Sequence, residues 1–292
     1  MRIPLRNYLP LFKFRICSFI TFSAVVGLIS ASSPSASISI SGFFFLILTT
    51  MMASAGASAF NNYFDTDIDA VMKRTGARPL VSGRVADSKM ILLLALVLFA
   101  ASILLSFRVL NYMVGLHLFL GGFVYAVVYT VWLKRRSSLN IIIGGLAGSF
   151  AVLAGGSSAA PGLCLLPVLL AVTMFFWTPS HFWSFAVFHR EEYEKAGIPM
   201  LPNVVGDSRA AWYILLNTGV LVFSSFLPSY FGTLGLVYAV SALLLGGFFI
   251  FRNLQLLFNP SKENAWKNFT ASMIYLGGLF LAVIIDVKIK SI

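Results

Sequence analysis

Apolar runs alternate with short polar segments along the whole chain. Nine runs approach the ~20 residues that cross a bilayer as a helix. They fall at about 16–33, 41–62, 90–107, 112–133, 140–158, 163–187, 212–228, 233–251 and 269–287. A membrane β-barrel would show alternating segments of ~10 residues instead. The pattern predicts an all-α, multi-pass transmembrane bundle of nine helices. Residues 1–292 read as a single integral-membrane domain, with a first half over about 16–133 and a second over about 140–287. The fifth run, "NIIIGGLAGSFAVLAGGSSAAPG", is rich in small residues, which suits close helix packing inside a bundle. Pro179, Pro199 and Pro202 are expected to kink or end helices locally.

Composition supports the membrane reading. The chain is 59% hydrophobic and 11% charged, against ~25% charged in soluble domains. A net charge of +11 raises the question of nucleic acid. The basic residues are spaced between apolar runs and form no separate domain, so no nucleic-acid partner is expected. They act as topology determinants. A cytoplasmic N-terminus puts 18 of the 21 Lys and Arg residues on the cytoplasmic side and leaves Arg108, Lys288 and Lys290 outside. Of the ten acidic residues only Asp286 falls outside. The long cytoplasmic loops, about 63–89 and 188–211, therefore carry whatever chemistry exists. Cys17 and Cys164 lie far apart in apolar segments and suggest neither a metal site nor a disulfide. The first run follows a basic start but lacks a small-residue cleavage site, so it reads as a membrane helix. No long Arg- and Ser-rich leader precedes it, and the expected location is a bacterial inner membrane.

The stretch "NNYFDTDIDAVMKRTGARPL", residues 61–80, concentrates charge in a chain that has little. Asn61, Asp65 and Asp69 recur every four residues and share one helix face at the mouth of the bundle. Two carboxylates and an amide oxygen are hard ligands of the kind Mg²⁺ takes together with substrate phosphates. Arg74 and Arg78 follow, and guanidinium forks match phosphate oxygens. Asp67 falls off this face; ligation and pairing with a loop cation both remain open. "WLKRRSSLN", residues 132–140, brings Lys134, Arg135 and Arg136 to the same face, where they anchor topology or meet a ligand. His181 lies within the sixth run beside Trp177, Phe182 and Trp183, and an ionisable residue at membrane depth points to function. Glu191, Glu192 and Glu194 follow that run and hold the place in the second half that the aspartates hold in the first. His117 reads as a hydrogen-bonded core histidine. No Walker loop, GxSxG elbow, CxxC or HExxH is present.

At these residues the chain resembles the UbiA superfamily of intramembrane prenyltransferases. Asn61, Asp65 and Asp69 match its "NxxxDxxxD". "YTVWLKRRSSLNIIIGGLAG" and "WTPSHFWSFAVFHREEYEKAGIPMLP" are similar to its haem-farnesylating branch. The resemblance implies farnesyl transfer from farnesyl diphosphate to the 2-vinyl group of haem B, with water addition. The product would be haem O, which serves haem A and terminal oxidase formation, with haem A synthase as a further partner. It implies Mg²⁺ held on the diphosphate by Asn61, Asp65 and Asp69, with Glu192 on the metal from the second half. Arg74, Arg78, Lys134 and Arg135 would neutralise the diphosphate, and His181, Trp183 and Tyr193 would contact the haem. Two departures stand out. Glu192 replaces the usual Asp before Tyr193, and the stretch after "GGLAG" lacks the usual prolines. A quinone-precursor acceptor is the alternative within the superfamily. A transporter would carry polar groups near the midplane, whereas charge here collects at one face. A purely structural or assembly protein would leave the acid cluster idle.

Overall fold

The computed structural model describes residues 7–32 and 39–290. Arg2, Arg6 and Ser33, used above for topology and the first span, lie outside the described residues. Every regular element among the described residues is helical. Among the described residues nine segments are long and apolar enough to cross a membrane: Leu9–Ala31, Ile40–Phe64, Ser88–Val109, Tyr112–Leu133, Asn140–Ala159, Leu165–Phe188, Asp207–Tyr230, Leu236–Phe258 and Lys262–Lys290.

In chain order, a 3-10 turn (Leu9–Phe12) leads into α1 (Phe14–Ala31), α2 (Ile40–Phe64) and a short α3 (Thr66–Val71). Then come α4 (Ser88–Val109) and α5 (Tyr112–Phe123), which runs on as a π-helix over Val124–Leu133. The fifth crossing is α6 (Asn140–Gly144) plus α7 (Leu146–Ala159), and the sixth is α8 (Leu165–Phe188). Short α9 (Arg190–Lys195) and α10 (Leu201–Val205) precede α11 (Asp207–Tyr230), α12 (Leu236–Phe258) and α13 (Lys262–Lys290). Side-chain caps explain three of the starts. Ser39 accepts from the Gly42 N–H, Asp87 from Met90 and Asn111 from Val114, each pairing a donor the helix leaves orphaned.

The small residues of the fifth crossing do what their size allows. A Cβ on Gly155 would collide with the Ala24 carbonyl, and one on Gly27 with the Val152 carbonyl. The α1 and α7 backbones therefore touch, which only glycine permits. α1, α2, α4, α5 and α7 pack in succession around one side, while α8, α11, α12 and α13 pack on the other. α7 against α8 and α1 against α13 join the two sides.

One sequence expectation changes in detail. The seventh to ninth helices extend well beyond their apolar cores. In α13 the early polar turns are held by Lys267 on Glu263 at 2.5 Å, an i,i+4 pair that hydropathy cannot see. Helix α8 runs through Pro179, in keeping with the span of about 163–187.

Candidate active site

The cluster at residues 61–69 survives a break in its helix. α2 ends at Phe64, and Asp65 (φ −91°, ψ 7°) sits between α2 and α3. Backbone bonds still link Asp65 N to Asn61 O (3.0 Å) and Asp69 N to Asp65 O (2.7 Å). The three side chains thus stay on successive turns of one face. All three are buried, Asp65 at 1% exposure. A buried carboxylate must be paired, and each one is. Lys134 Nζ donates to Asp65 Oδ2 at 2.5 Å, and Asn61 Nδ2 donates to the same oxygen at 2.7 Å. Arg78 pairs with Asp69.

Sequence reasoning missed two members. Lys13, counted only as a topology charge, donates from Nζ to Asn61 Oδ1 at 2.6 Å. It is the one non-glycine residue with positive φ (48°) among the described residues, a conformation that costs about 1–2 kcal/mol. That strain aims a cation at the cluster, and strained backbone concentrates at functional sites. Thr130 is the other. Its Oγ1 receives Asn61 Nδ2 at 3.0 Å and donates to Tyr125 O at 2.8 Å. The π-helix makes this possible: Lys134 N bonds Tyr129 O, five residues back, at 2.8 Å. The widened turn delivers Thr130 and Lys134 to the same cluster, a recurring use of π-helical segments. Nothing in the apolar run "VYAVVYTVWL" signals it.

Other expected residues lie further out. Arg135 makes an exposed two-pronged pair with Asp67 (2.6 and 2.7 Å), which holds the Asp67 carboxyl below its usual range. Among the described residues Arg136 bonds the Val131 and Trp132 backbone carbonyls. Glu192 takes the Arg74 backbone N–H at 3.2 Å on one oxygen and His189 Nδ1 at 3.2 Å on the other. Burial pushes that carboxyl up, but the Arg74 amide, His189 and the Arg74 charge outweigh it and bring it below its usual range. Glu192 therefore clips the second half to the loop after the first motif. The Arg74 guanidinium lies over the Phe185 ring, 5.3 Å from its centroid. Glu191 pairs with Lys262 at 2.7 Å in the open.

His181 is buried, bonds Ser272 Oγ at 2.7 Å, and stacks between Trp177 (4.2 Å) and Phe269 (4.5 Å). Phe269 meets Phe185 at 5.0 Å, so an aromatic chain runs from Arg74 to His181. Trp183 and Tyr193 pack in a core with Ile68 and Met72 of the first half. The Trp183 indole N–H is buried without a partner among the described residues. Burial pushes the Tyr193 phenol up to about 12.

The donor set fits a Mg²⁺ diphosphate. Asp65 Oδ1 is buried and has no partner among the described residues, an open acceptor that a hard cation would take up. Among the described residues no group of three or more His, Cys, Asp or Glu could hold a metal by itself. That matches an ion bound through one or two carboxylates plus substrate phosphates. Lys13, Arg78 and Lys134 surround the two carboxylates, an arrangement of donors that suits an anionic ligand.

Inward of the cluster, a half-open apolar cavity of about 100 Å³ lies between α1, α2, α5 and α7. Its walls include Cys17, Ala53, Ala57, Ser58, Gly121 and Tyr125.

The family model described as the UbiA prenyltransferase family matches residues 20–283. Protoheme IX farnesyltransferase 1 of Paramagnetospirillum magneticum (strain ATCC 700264 / AMB-1) is 45% identical over 281 residues, covering 96% of this chain and 98% of that protein. Protoheme IX farnesyltransferase 1 of Cenarchaeum symbiosum (strain A) is 42% identical over 241 residues, covering 82% and 81%. Among solved structures, that of digeranylgeranylglyceryl phosphate synthase superposes with a TM-score of 0.77 at 22% identity, covering 97% and 98%. A UbiA homolog from Archaeoglobus fulgidus bound to DMAPP and Mg²⁺ gives 0.69 at 19% identity, covering 95% and 99%. Both structures share the fold.

Proposed function

This chain belongs to the UbiA prenyltransferase family, and from that premise we propose that it transfers a farnesyl group from farnesyl diphosphate to the 2-vinyl group of haem B, with water addition, giving haem O. The reading rests on one observation: Asn61, Asp65 and Asp69 are buried at one end of a membrane bundle, each against a cation or a polar partner, beside an apolar cavity. The names and similarity of the relatives support haem as the acceptor over a quinone precursor.

The residues divide the work. Asn61, Asp65 and Asp69 would hold Mg²⁺ on the diphosphate, and the bound ion would supply Lewis-acid stabilisation of the leaving group. Lys13, Arg74, Arg78 and Lys134 take up the negative charge that develops as the allylic C–O bond breaks. Arg135 joins them by leaving Asp67. Glu192 holds the Arg74 loop in place and touches the metal only by exchanging His189 and that amide for it. Tyr125, stacked on Tyr129 at 5.8 Å, presents ring faces that favour a cation. The apolar tail lies in the cavity, away from water. The terminal vinyl carbon attacks C1 of the farnesyl cation, and the cation formed beside the porphyrin captures water and releases a proton. No covalent nucleophile is required. His181 contacts the haem from its aromatic stack, and Trp183 and Tyr193 wall the acceptor side, with the free indole N–H offered to a haem carboxylate. The positive-inside count supports a site at the cytoplasmic face, in this reading that of a bacterial inner membrane, where haem A synthase would take the product.

The test uses purified protein with farnesyl diphosphate, Mg²⁺ and an equimolar mixture of haem B and 4-hydroxybenzoate, the products being separated by chromatography. Haem O is expected, and Asp65→Asn and Asp69→Asn should each lose most of it. Near-normal turnover in both variants sinks the metal assignment. A prenylated hydroxybenzoate formed in preference to haem O sinks the acceptor.

A further inference from the structure

One serine of α13 holds two aromatic rings of α8. Trp177 Nε1 donates to the Ser272 carbonyl at 2.7 Å, and the Ser272 hydroxyl lies 2.7 Å from His181 Nδ1. Trp177 and His181 are four residues apart on α8, so their side chains meet on one face. Phe269, one turn before Ser272, closes on the other side of the imidazole. The ring is thus stacked on both faces, at 4.2 Å by Trp177 and 4.5 Å by Phe269. Phe182 stands nearly perpendicular to it at 5.1 Å.

The hydrogen bonds set the tautomer. Ser272 Oγ donates its one proton to the Phe269 carbonyl at 2.6 Å. It can therefore meet Nδ1 only as an acceptor, which puts the imidazole proton on Nδ1. The lone pair is left on Nε2. That nitrogen makes no hydrogen bond among the described residues and is not sealed from a small molecule. A histidine held through Nδ1–H with Nε2 free is the form in which proteins present a base.

The proposed reaction contains a step that calls for one. Once the terminal vinyl carbon has bonded to the farnesyl group, a cation is left on the carbon beside the porphyrin. Water can attack that cation, forming a C–O bond and giving up a proton, which yields the alcohol of haem O. Alternatively the cation loses a proton from the neighbouring CH₂, which yields an alkene lighter by one water. A held and deprotonated water decides between the two. Ligation of the haem iron by Nε2 would bring the porphyrin plane against the edges of the flanking Trp177 and Phe269 rings, whereas a water molecule asks for no such clearance.

We propose that His181 is the base of the hydration step and that Ser272 positions it. Nε2 holds the water and takes its proton as the oxygen bonds to the cation, and the imidazolium returns that proton to solvent as haem O leaves. The proposal rests on the prenyl-transfer reading above and names the group that selects alcohol over alkene.

The experiment gives purified wild type and variants farnesyl diphosphate, Mg²⁺ and haem B, and reads the alcohol-to-alkene ratio of prenylated haem by mass. Haem B affinity is followed alongside by absorbance titration. Wild type is expected to make almost only the alcohol. His181→Phe keeps an aromatic ring in the stack but has no lone pair, and should lower the ratio on the order of 100-fold, the low end of general-base effects. Ser272→Ala should lower it about tenfold, the scale on which a partner that orients a histidine acts, and Ser272→Thr, which keeps the hydroxyl, should restore it. Should His181→Phe fail to fold or turn over, the two Ser272 variants decide by the same ratio. An unchanged ratio in folded, active variants overturns the proposal. So does a loss of haem affinity at constant ratio, which marks His181 as a haem anchor alone. Both outcomes leave the functional reading standing, because prenylated haem still forms. A wild type that prenylates no haem refutes both.

Discussion

Replacing Lys13 by Met removes a cation that sequence pattern had assigned to topology alone. In the structure its ammonium holds Asn61 Oδ1 at 2.6 Å, within the cluster that contains Asp65 and Lys134. A unit charge about 5 Å from a phosphate oxygen, at an effective dielectric near 20, contributes roughly 3 kcal/mol. That corresponds to a loss of about 100-fold in kcat/KM for farnesyl diphosphate. Lys13→Arg keeps the charge and should recover most of it. Stability separates this role from a structural one. Lys13→Met and Lys13→Gly both lose the cation and leave Asn61 Oδ1 unpaired, but glycine relieves the positive φ of 48°. The glycine variant should therefore be more stable than the methionine variant by about 1 kcal/mol while being no more active. The assay is initial rate against farnesyl diphosphate concentration, with thermal melting in detergent alongside. A Lys13→Met enzyme within twofold of wild type in kcat/KM refutes the reasoning.

Lys134→Ala should cost far more activity than Arg135→Ala, because Lys134 is committed to buried Asp65 whereas Arg135 is shared with exposed Asp67; steady-state rates of the two variants decide this. Asp286 is buried and accepts the N–H groups of Gly235 and Tyr238 at the start of α12 (2.7 and 3.0 Å). Asp286→Ala should lower stability by about 1–2 kcal/mol, the range of a lost cap, with kcat unchanged when melting and rate are measured together. His189 is held below its ordinary value, first by burial and further by the Arg74 charge, against the opposing pull of Glu192. A base depressed by folding contributes stability above its unfolded pKa of about 6.5, and that contribution is lost as pH falls below it. Melting temperature should therefore drop on acidification from pH 7 to 5, and His189→Gln should make that drop shallower.

The helix count and the first motif were legible because both depend on periodicity. Twenty apolar residues announce a span, and a spacing of four announces a face that persists even across the break at Asp65. What stayed hidden depends on contacts between distant segments or on backbone anomalies. Lys13 lies 48 positions from Asn61, and its left-handed backbone has no sequence mark. The π-helix that brings Thr130 and Lys134 to the site runs through ordinary apolar residues. Arg135 looked equivalent to Lys134 because adjacent residues share a loop. They meet different partners, Lys134 the buried Asp65 and Arg135 the exposed Asp67. Glu192 occupies the expected place, but its oxygens are already engaged by Arg74 and His189.

The most direct test of the central claim is the haem content of cells that lack haem O, expressing either this protein or its Asp65→Asn variant. The account predicts haem O in extracts of cells with the wild-type chain and little or none with the variant, at equal membrane levels of the two proteins. Haem B alone in both extracts, or equal haem O in both, contradicts it.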